Sequence, residues 1–184
     1  MNIETVNCMG RDAFVATFGD IFERSRWVAQ RAFDKRPFAT ADALHAAMVG
    51  VVETAPRDEQ IALLRAHPDL AGKEARDGTM TRSSVAEQAS AALDRLTADE
   101  NARIAVLNAA YRARHGFPFI VAVRHYTKDG ILHEFARRLG NDTQSEVASG
   151  LQQIFAITRL RIDALFGRSD VSTASTAALV RLSA

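Results

Sequence analysis

Proline stands at only four positions of this chain (Pro37, Pro56, Pro68, Pro118), and the stretches between are filled with alanine, leucine, arginine and glutamate. Those residues lose little freedom in a helix, whereas proline ends one, so the chain is cut into helical segments by its own breakers. The apolar spacing agrees. Phe14, Phe18, Ile21 and Phe22 predict a helix over about 11–23, and Trp27, Val28 and Phe33 a short second one. Thr40 is a good N-cap for a helix holding Leu44, Met48, Val51 and Val52. Pro56 closes that helix, and Asp58 is placed to cap the next, which runs to His67.

Residues 71–82, with Gly72, Gly78 and several charges, read as a loop. Ser84-x-x-Glu87 matches a capping box, which predicts a helix with Val85, Ala89, Ala92, Leu93 and Leu96 facing inward. Ile104, Leu107, Asn108 and Tyr111 mark a helix from about Ala98 to a C-cap at Gly116. Phe119 to Val123 is a short apolar, β-branched run that helix rules do not settle. Helical pattern resumes over 131–139, Gly140-Asn141-Asp142 breaks it, and a long helix follows to about Phe166. The fold expected is all-α: a single-domain bundle of about seven to nine helices over 1–166, with a loop after His67 and a long C-terminal helix. The Ser/Thr-rich residues 167–184 read as a C-terminal extension, frayed or docked on a partner subunit.

Charge and cysteine usage narrow the function classes. Twenty-three basic and 22 acidic residues leave a net charge of +1, so no strong field points to nucleic acid or to a membrane surface. Cys8 is the sole cysteine, which rules out an intrachain disulfide and suits a reducing compartment. No signal-peptide pattern opens the chain and no apolar run approaches the ~20 residues of a membrane helix. The expectation is a cytoplasmic protein.

A few residues fit poorly with structure alone. His67 precedes Pro68, whose ring pushes it out of the helical conformation at a helix end, and an imidazole fixed there can do acid–base work near neutral pH. The plainer reading is a polar residue favoured by the helix dipole. Glu87 falls opposite the apolar stripe of its helix, where solvent is the default; Gln88 falls nearer the buried face and needs partners there. Arg161 lies inside the stripe made by Val147, Leu151, Ile154, Thr158 and Leu165. Burying a guanidinium is costly unless an anion meets it, so a structural carboxylate, snorkelling to solvent and an anionic ligand all remain open. Phe119 to Val123 is either a buried connector or a ligand wall with free backbone amides. No histidine pair has the i, i+4 spacing of a helical zinc site, which leaves only a site assembled from distant residues such as His45, His115 and His125.

Six segments taken in order resemble one family: Phe18-Gly19-Asp20-Ile21-Phe22-Glu23-Arg24-Ser25-Arg26-Trp27-Val28-Ala29, His67-Pro68-Asp69-Leu70-Ala71-Gly72-Lys73, Ser84-Val85-Ala86-Glu87-Gln88, Leu107-Asn108-Ala109-Ala110-Tyr111, Gly116-Phe117-Pro118-Phe119-Ile120-Val121-Ala122-Val123-Arg124 and Leu160-Arg161-Ile162. The family is 2-oxo-4-hydroxy-4-carboxy-5-ureidoimidazoline (OHCU) decarboxylase. The resemblance implies an all-helical, cofactor-free enzyme, dimeric as a rule, that acts on a small ureidoimidazoline and yields (S)-allantoin and carbon dioxide. By position it implies His67 as the catalytic histidine and Glu87 as its acidic partner. It implies substrate contacts at Pro68, Ser84, Val85, Ala86, Gln88, Phe119, Ile120, Val121, Ala122, Val123 and Arg161, and no metal. Arg26 departs from the family, which commonly has proline before the tryptophan, and so does the C-terminal extension.

The chemistry implied is compatible with these residue types. The family's substrate carries its carboxylate next to a ring C=N bond, which accepts the electrons released with carbon dioxide and makes a cofactor sink unnecessary. The protein must hold the carboxylate out of the ring plane and deliver a proton to one face. Two rivals compete with this reading: a non-catalytic helical protein-interaction module, and a helical metalloenzyme built on the distant histidines.

Overall fold

The computed structural model describes residues 1–168, so nearly all of the expected C-terminal extension lies outside the described residues. Ten α-helices follow one another with no strand among those residues: α1 (Ile3–Asn7), α2 (Arg11–Phe18), α3 (Trp27–Ala32), α4 (Ala41–Glu53), α5 (Arg57–Arg65), α6 (Lys73–Arg76), α7 (Arg82–Ser90), α8 (Ala98–His115), α9 (Lys128–Leu139) and α10 (Thr143–Leu165). The all-α expectation holds. Helices α1, α3 and α6 are short, which leaves seven longer ones.

Local signals set most ends. Thr40 accepts from the Ala43 amide at 3.1 Å and starts α4. Gly116 takes the left-handed conformation, φ 79°, that ends α8, where a Cβ would be strained. At the head of α8, Thr97 and Glu100 form a reciprocal capping box.

Four expectations need correction. Helix α2 stops at Phe18, not Glu23. Residues 19–26 form successive turns that still bury Ile21 and Phe22, so the i, i+3, i+4 pattern could not tell them from helix. The turns leave the Asp20 and Ile21 carbonyls to accept from Arg161. Asp58 lies in the first turn of α5, whose N-cap is Pro56. The interval 71–82 holds the one-turn helix α6.

Helix α7 also departs from the expected pattern. Thr81 caps it, so Ser84 is its third residue and the box with Glu87 does not form. The helix presents Ser84 and Gln88 inward, while Val85 is 48% exposed and Ala89 faces solvent. Tertiary pairing overrides the apolar pattern here: the polar face turns in because it has buried partners to meet.

Helix α10 forms the spine, packing across α4, α5 and α8, while α3 lies on α4 and α9 on α8. Its approach to α5 is close; a Cβ on Gly150 would sit 2.8 Å from Leu64 Cδ2. Phenylalanines 14, 18, 22, 117, 119 and 135 fill the interior with Leu44, Met48, Leu63 and Leu64, each contributing about 1.5–3 kcal/mol of burial. Between α8 and α9 the chain runs without helix to Ala122 and makes a 3-10 turn at Val123–His125. The Phe119 to Val123 run is thus buried and, up to Ala122, non-helical.

Candidate active site

Helix α5 sends Leu63 and Leu64 into the core, and Pro68 stops the chain from continuing it. His67 is thereby buried. Its Nδ1 lies 3.0 Å from the Leu63 carbonyl, which can only accept, so Nδ1 carries the hydrogen. That contact fits the plain helix-end reading. Nε2 does not: it is buried with no hydrogen-bond partner among the described residues. Burial pushes the imidazole down to about 4, against the Leu63 carbonyl and the Glu23 charge, which favour the proton, while Arg161 opposes it. At neutral pH the resting ring is therefore neutral, with Nε2 an open acceptor.

Arg161, from α10, meets two carboxylates. Its Nε and Nη2 donate to Glu87 Oε1 and Oε2 at 2.7 and 2.8 Å, the parallel fork that guanidinium and carboxylate form best. Its Nη1 donates to Glu23 Oε2 at 3.1 Å and to the Ile21 carbonyl at 3.2 Å. Burial opposes the charge, but the Glu87 hydrogen bonds and the charges of Glu87 and Glu23 outweigh it and hold Arg161 above its usual range. The structural-carboxylate alternative is thus realised twice, and Glu87 is pulled off the solvent side of α7. Ser84 Oγ donates to Glu23 Oε2 at 3.0 Å and so belongs to the same cluster.

Gln88 ties α7 to the turn after His67. Its Oε1 accepts from the Ala71 amide at 2.9 Å and its Nε2 donates to the Asp69 carbonyl at 3.3 Å.

One cavity of about 40 Å³ is walled by His67, Pro68, Leu70, Ser84, Glu87, Gln88, Phe119, Ile120, Val121, Val123, Ile157 and Arg161. Three of the residues expected at a substrate do not wall it. Val85 lies on the exposed face of α7, and Ala86 lines a neighbouring outer cleft of about 310 Å³. Ala122 turns its amide to Gln153 Oε1 at 2.9 Å. The amides of Phe119, Ile120 and Val121, by contrast, have no intramolecular hydrogen bond among the described residues. Glu87 and Arg161 border both spaces, so their pair is the partition between cavity and cleft.

The connector is held from behind by a buried network. Arg138 Nη1 donates to the Ile120 carbonyl at 2.9 Å, and its guanidinium lies 4.7 Å above the Phe119 ring. Glu146 takes the Arg138 charge and also accepts from Asn141 at 2.7 Å and from Tyr111. Burial and the Glu146 contact push the Tyr111 hydroxyl up.

Sequence reasoning missed Glu23, Leu70, Ile157 and the Arg138–Glu146 pair as parts of the site. Glu23 lay within the first quoted segment, but no periodicity marks a carboxylate in a turn. Of the rival histidines, His45 pairs with Thr158 at 3.0 Å and His115 with Thr143 at 3.1 Å, both away from the cavity. No group of three or more histidine, cysteine or acidic residues able to hold a metal occurs among the described residues, and no helix there is long and apolar enough to cross a membrane.

An all-helical fold that closes a small, largely apolar cavity over a histidine, an arginine and a carboxylate is the arrangement of an enzyme acting on a small molecule. The family model for OHCU decarboxylase matches residues 7–163. The chain is 41% identical over 162 residues to the 2-oxo-4-hydroxy-4-carboxy-5-ureidoimidazoline decarboxylase of Haloferax volcanii, covering 88% of this chain and 94% of that protein. It is 36% identical over 166 residues to the enzyme of the same name from Xenopus laevis, covering 90% and 95%. Among solved structures it superposes on (S)-allantoin synthase with a TM-score of 0.72 and 28% identity, over 89% of this chain and 54% of that one. The chain belongs to the OHCU decarboxylase family.

Proposed function

We infer that this protein decarboxylates 2-oxo-4-hydroxy-4-carboxy-5-ureidoimidazoline to (S)-allantoin and carbon dioxide, the last step from urate to allantoin. The observation that carries the reading is one cavity walled by both the unpartnered His67 Nε2 and the buried Arg161 fork.

The reaction replaces a carbon–carboxylate bond by a carbon–hydrogen bond. The carboxylate leaves as carbon dioxide, its electron pair enters the adjacent C=N bond, and a proton ends on the ring. The residues divide this work as follows. Arg161 binds the polar ureido or carboxylate group, because its two parallel donors match either. Ile120 and Val121 offer free amides to charge that develops on the ring, and the flat apolar walls of Val123 and Ile157 exclude water. His67 Nε2 acts on the ring hydroxyl or delivers the proton; the carboxylate whose charge favours a proton on that ring is Glu23 rather than Glu87, which is engaged by Arg161. Since the substrate itself is the electron sink, no cofactor is needed.

A ring with a ureido arm needs far more than about 40 Å³, since small-molecule sites are typically about 300–1,000 Å³. Parting the Glu87–Arg161 pair joins cavity and outer cleft, so Glu87 exchanges its Arg161 contact for the substrate when the site fills. In this reading the protein works as a cytoplasmic homodimer, free of metal, with no nucleic-acid or membrane partner.

The test is His67→Ala. Its far-ultraviolet circular dichroism should match the parent, while stereospecific allantoin formation is abolished. Full activity in that variant sinks the assignment.

A further inference from the structure

Glu23 is one carboxylate more than Arg161 needs. Glu87 already neutralises the guanidinium through two hydrogen bonds, yet Glu23, 1% exposed, approaches the same group at 3.1 Å. Three donors converge on its Oε2: Arg161 Nη1, Thr81 Oγ1 at 3.1 Å and Ser84 Oγ at 3.0 Å. With His67 neutral, the cluster of Glu23, Glu87 and Arg161 carries one net negative charge in a buried site. A second buried carboxylate is costly, and neither packing nor pairing of Arg161 calls for it.

We propose that Glu23 couples binding of the anionic substrate to uptake of the proton that the reaction consumes. This rests on the decarboxylase reading. Each turnover follows the balance R–CO2⁻ + H⁺ → R–H + CO2, so one proton must enter the site per cycle. Bringing the substrate carboxylate beside a cluster that is already negative is unfavourable unless a cation arrives with it. The open acceptor on the same cavity is His67 Nε2, and Glu23 is the carboxylate whose charge favours a proton there. The proton is thus loaded with the substrate rather than fetched after carbon dioxide has left. Glu23 is not itself a wall of the cavity but lies behind Arg161 and Ser84, so it is a positioning residue that acts through Arg161 and His67.

Of the charges around His67, Glu23 is the one that favours a proton on the ring; Glu74, whose Oε2 is buried without a partner among the described residues, shares its space but is not among the charges that act on it. Arg24, Arg65 and Glu74 line a polar space of about 60 Å³ on the far side of His67 together with Glu23. Arg24 and Arg65 are exposed and donate to the Thr79 and Gly116 carbonyls, each at 2.9 Å, where salt screens them. Asp69 is paired with Arg112 at 2.9 Å. In the outer cleft Asp20 and Arg124 are of opposite sign.

The test compares KM across pH 7–8 for the full-length parent and for Glu23→Gln, with freshly generated substrate. Coupling to one proton predicts that the parent's KM rises about tenfold over that unit, because the resting imidazole is unprotonated throughout it. In Glu23→Gln the KM should vary less than threefold, and Glu23→Asp should keep the slope. A role confined to folding would change kcat or melting temperature and leave the slope alone. A threefold or greater rise in Glu23→Gln overturns the proposal. So does a parent whose KM is flat while it makes (S)-allantoin, a result that needs no variant to fold. A parent that makes none refutes the decarboxylase reading instead.

Discussion

Arg161 grips Glu87 through two parallel hydrogen bonds of 2.7 and 2.8 Å and so ties α10 to the polar face of α7. Removing the guanidinium leaves two acidic side chains without their cation, whereas removing the Glu87 charge leaves Arg161 still paired with Glu23. Arg161→Ala should therefore cost about 3–5 kcal/mol of stability, and Glu87→Gln clearly less, because Glu87 is also 15% exposed. Urea denaturation with matched m-values reads both. Equal costs would contradict the shared-cation arrangement.

Gln88 closes the turn that carries His67 through the Ala71 amide and the Asp69 carbonyl. Gln88→Ala should lose about 1–2 kcal/mol, since it orphans both backbone groups. It should also raise KM several-fold, because Pro68 and Leu70 on that turn wall the cavity. Thermal melting and steady-state kinetics check the two parts separately; a stability loss with unchanged KM would free the turn from any part in binding.

Behind the connector, Tyr111 donates to Glu146, which holds Arg138 against the Ile120 carbonyl. Tyr111→Phe removes one donor from a fully buried carboxylate and should cost about 1–3 kcal/mol in urea denaturation. A neutral effect would mean that Asn141 and Arg138 satisfy Glu146 without it.

His67 gives stability a pH signature. Its folded value, about 4, lies below the ~6.5 of an unfolded chain, so between those values the unfolded state binds a proton that the folded state refuses. Its penalty is absent above pH 6.5 and grows as pH falls towards 4, where it reaches on the order of 3 kcal/mol. His67→Gln should flatten the fall in melting temperature between pH 6.5 and 4.5 relative to the parent. Parallel curves for the two proteins would show that the ring is not held neutral by burial.

Much of the fold could be read from the sequence because its signals are local. Thr40 and Gly116 act within one turn of themselves, and the stripe of α10 repeats often enough to outvote single residues. The failures have one physical cause. At α2 and α7, partners distant in sequence decide the geometry: Arg161 takes the Asp20 and Ile21 carbonyls and draws Ser84 and Glu87 inward. Periodicity assigned Glu87 to solvent because it counts apolar side chains and cannot see a cation 74 residues away. Arg161 was the one visible trace of that cluster, a charge inside an apolar stripe. Glu23 left no such trace, since a turn has no face to violate.

Stereospecific decarboxylation can be followed by circular dichroism during the reaction. The unstable product of urate oxidation is hydrolysed in situ to the ureidoimidazoline, the protein is added, and the allantoin signal is followed. The (S) enantiomer should appear rapidly, at a rate proportional to protein concentration. Slow formation of racemic allantoin at the rate seen without protein would contradict stereospecific decarboxylation.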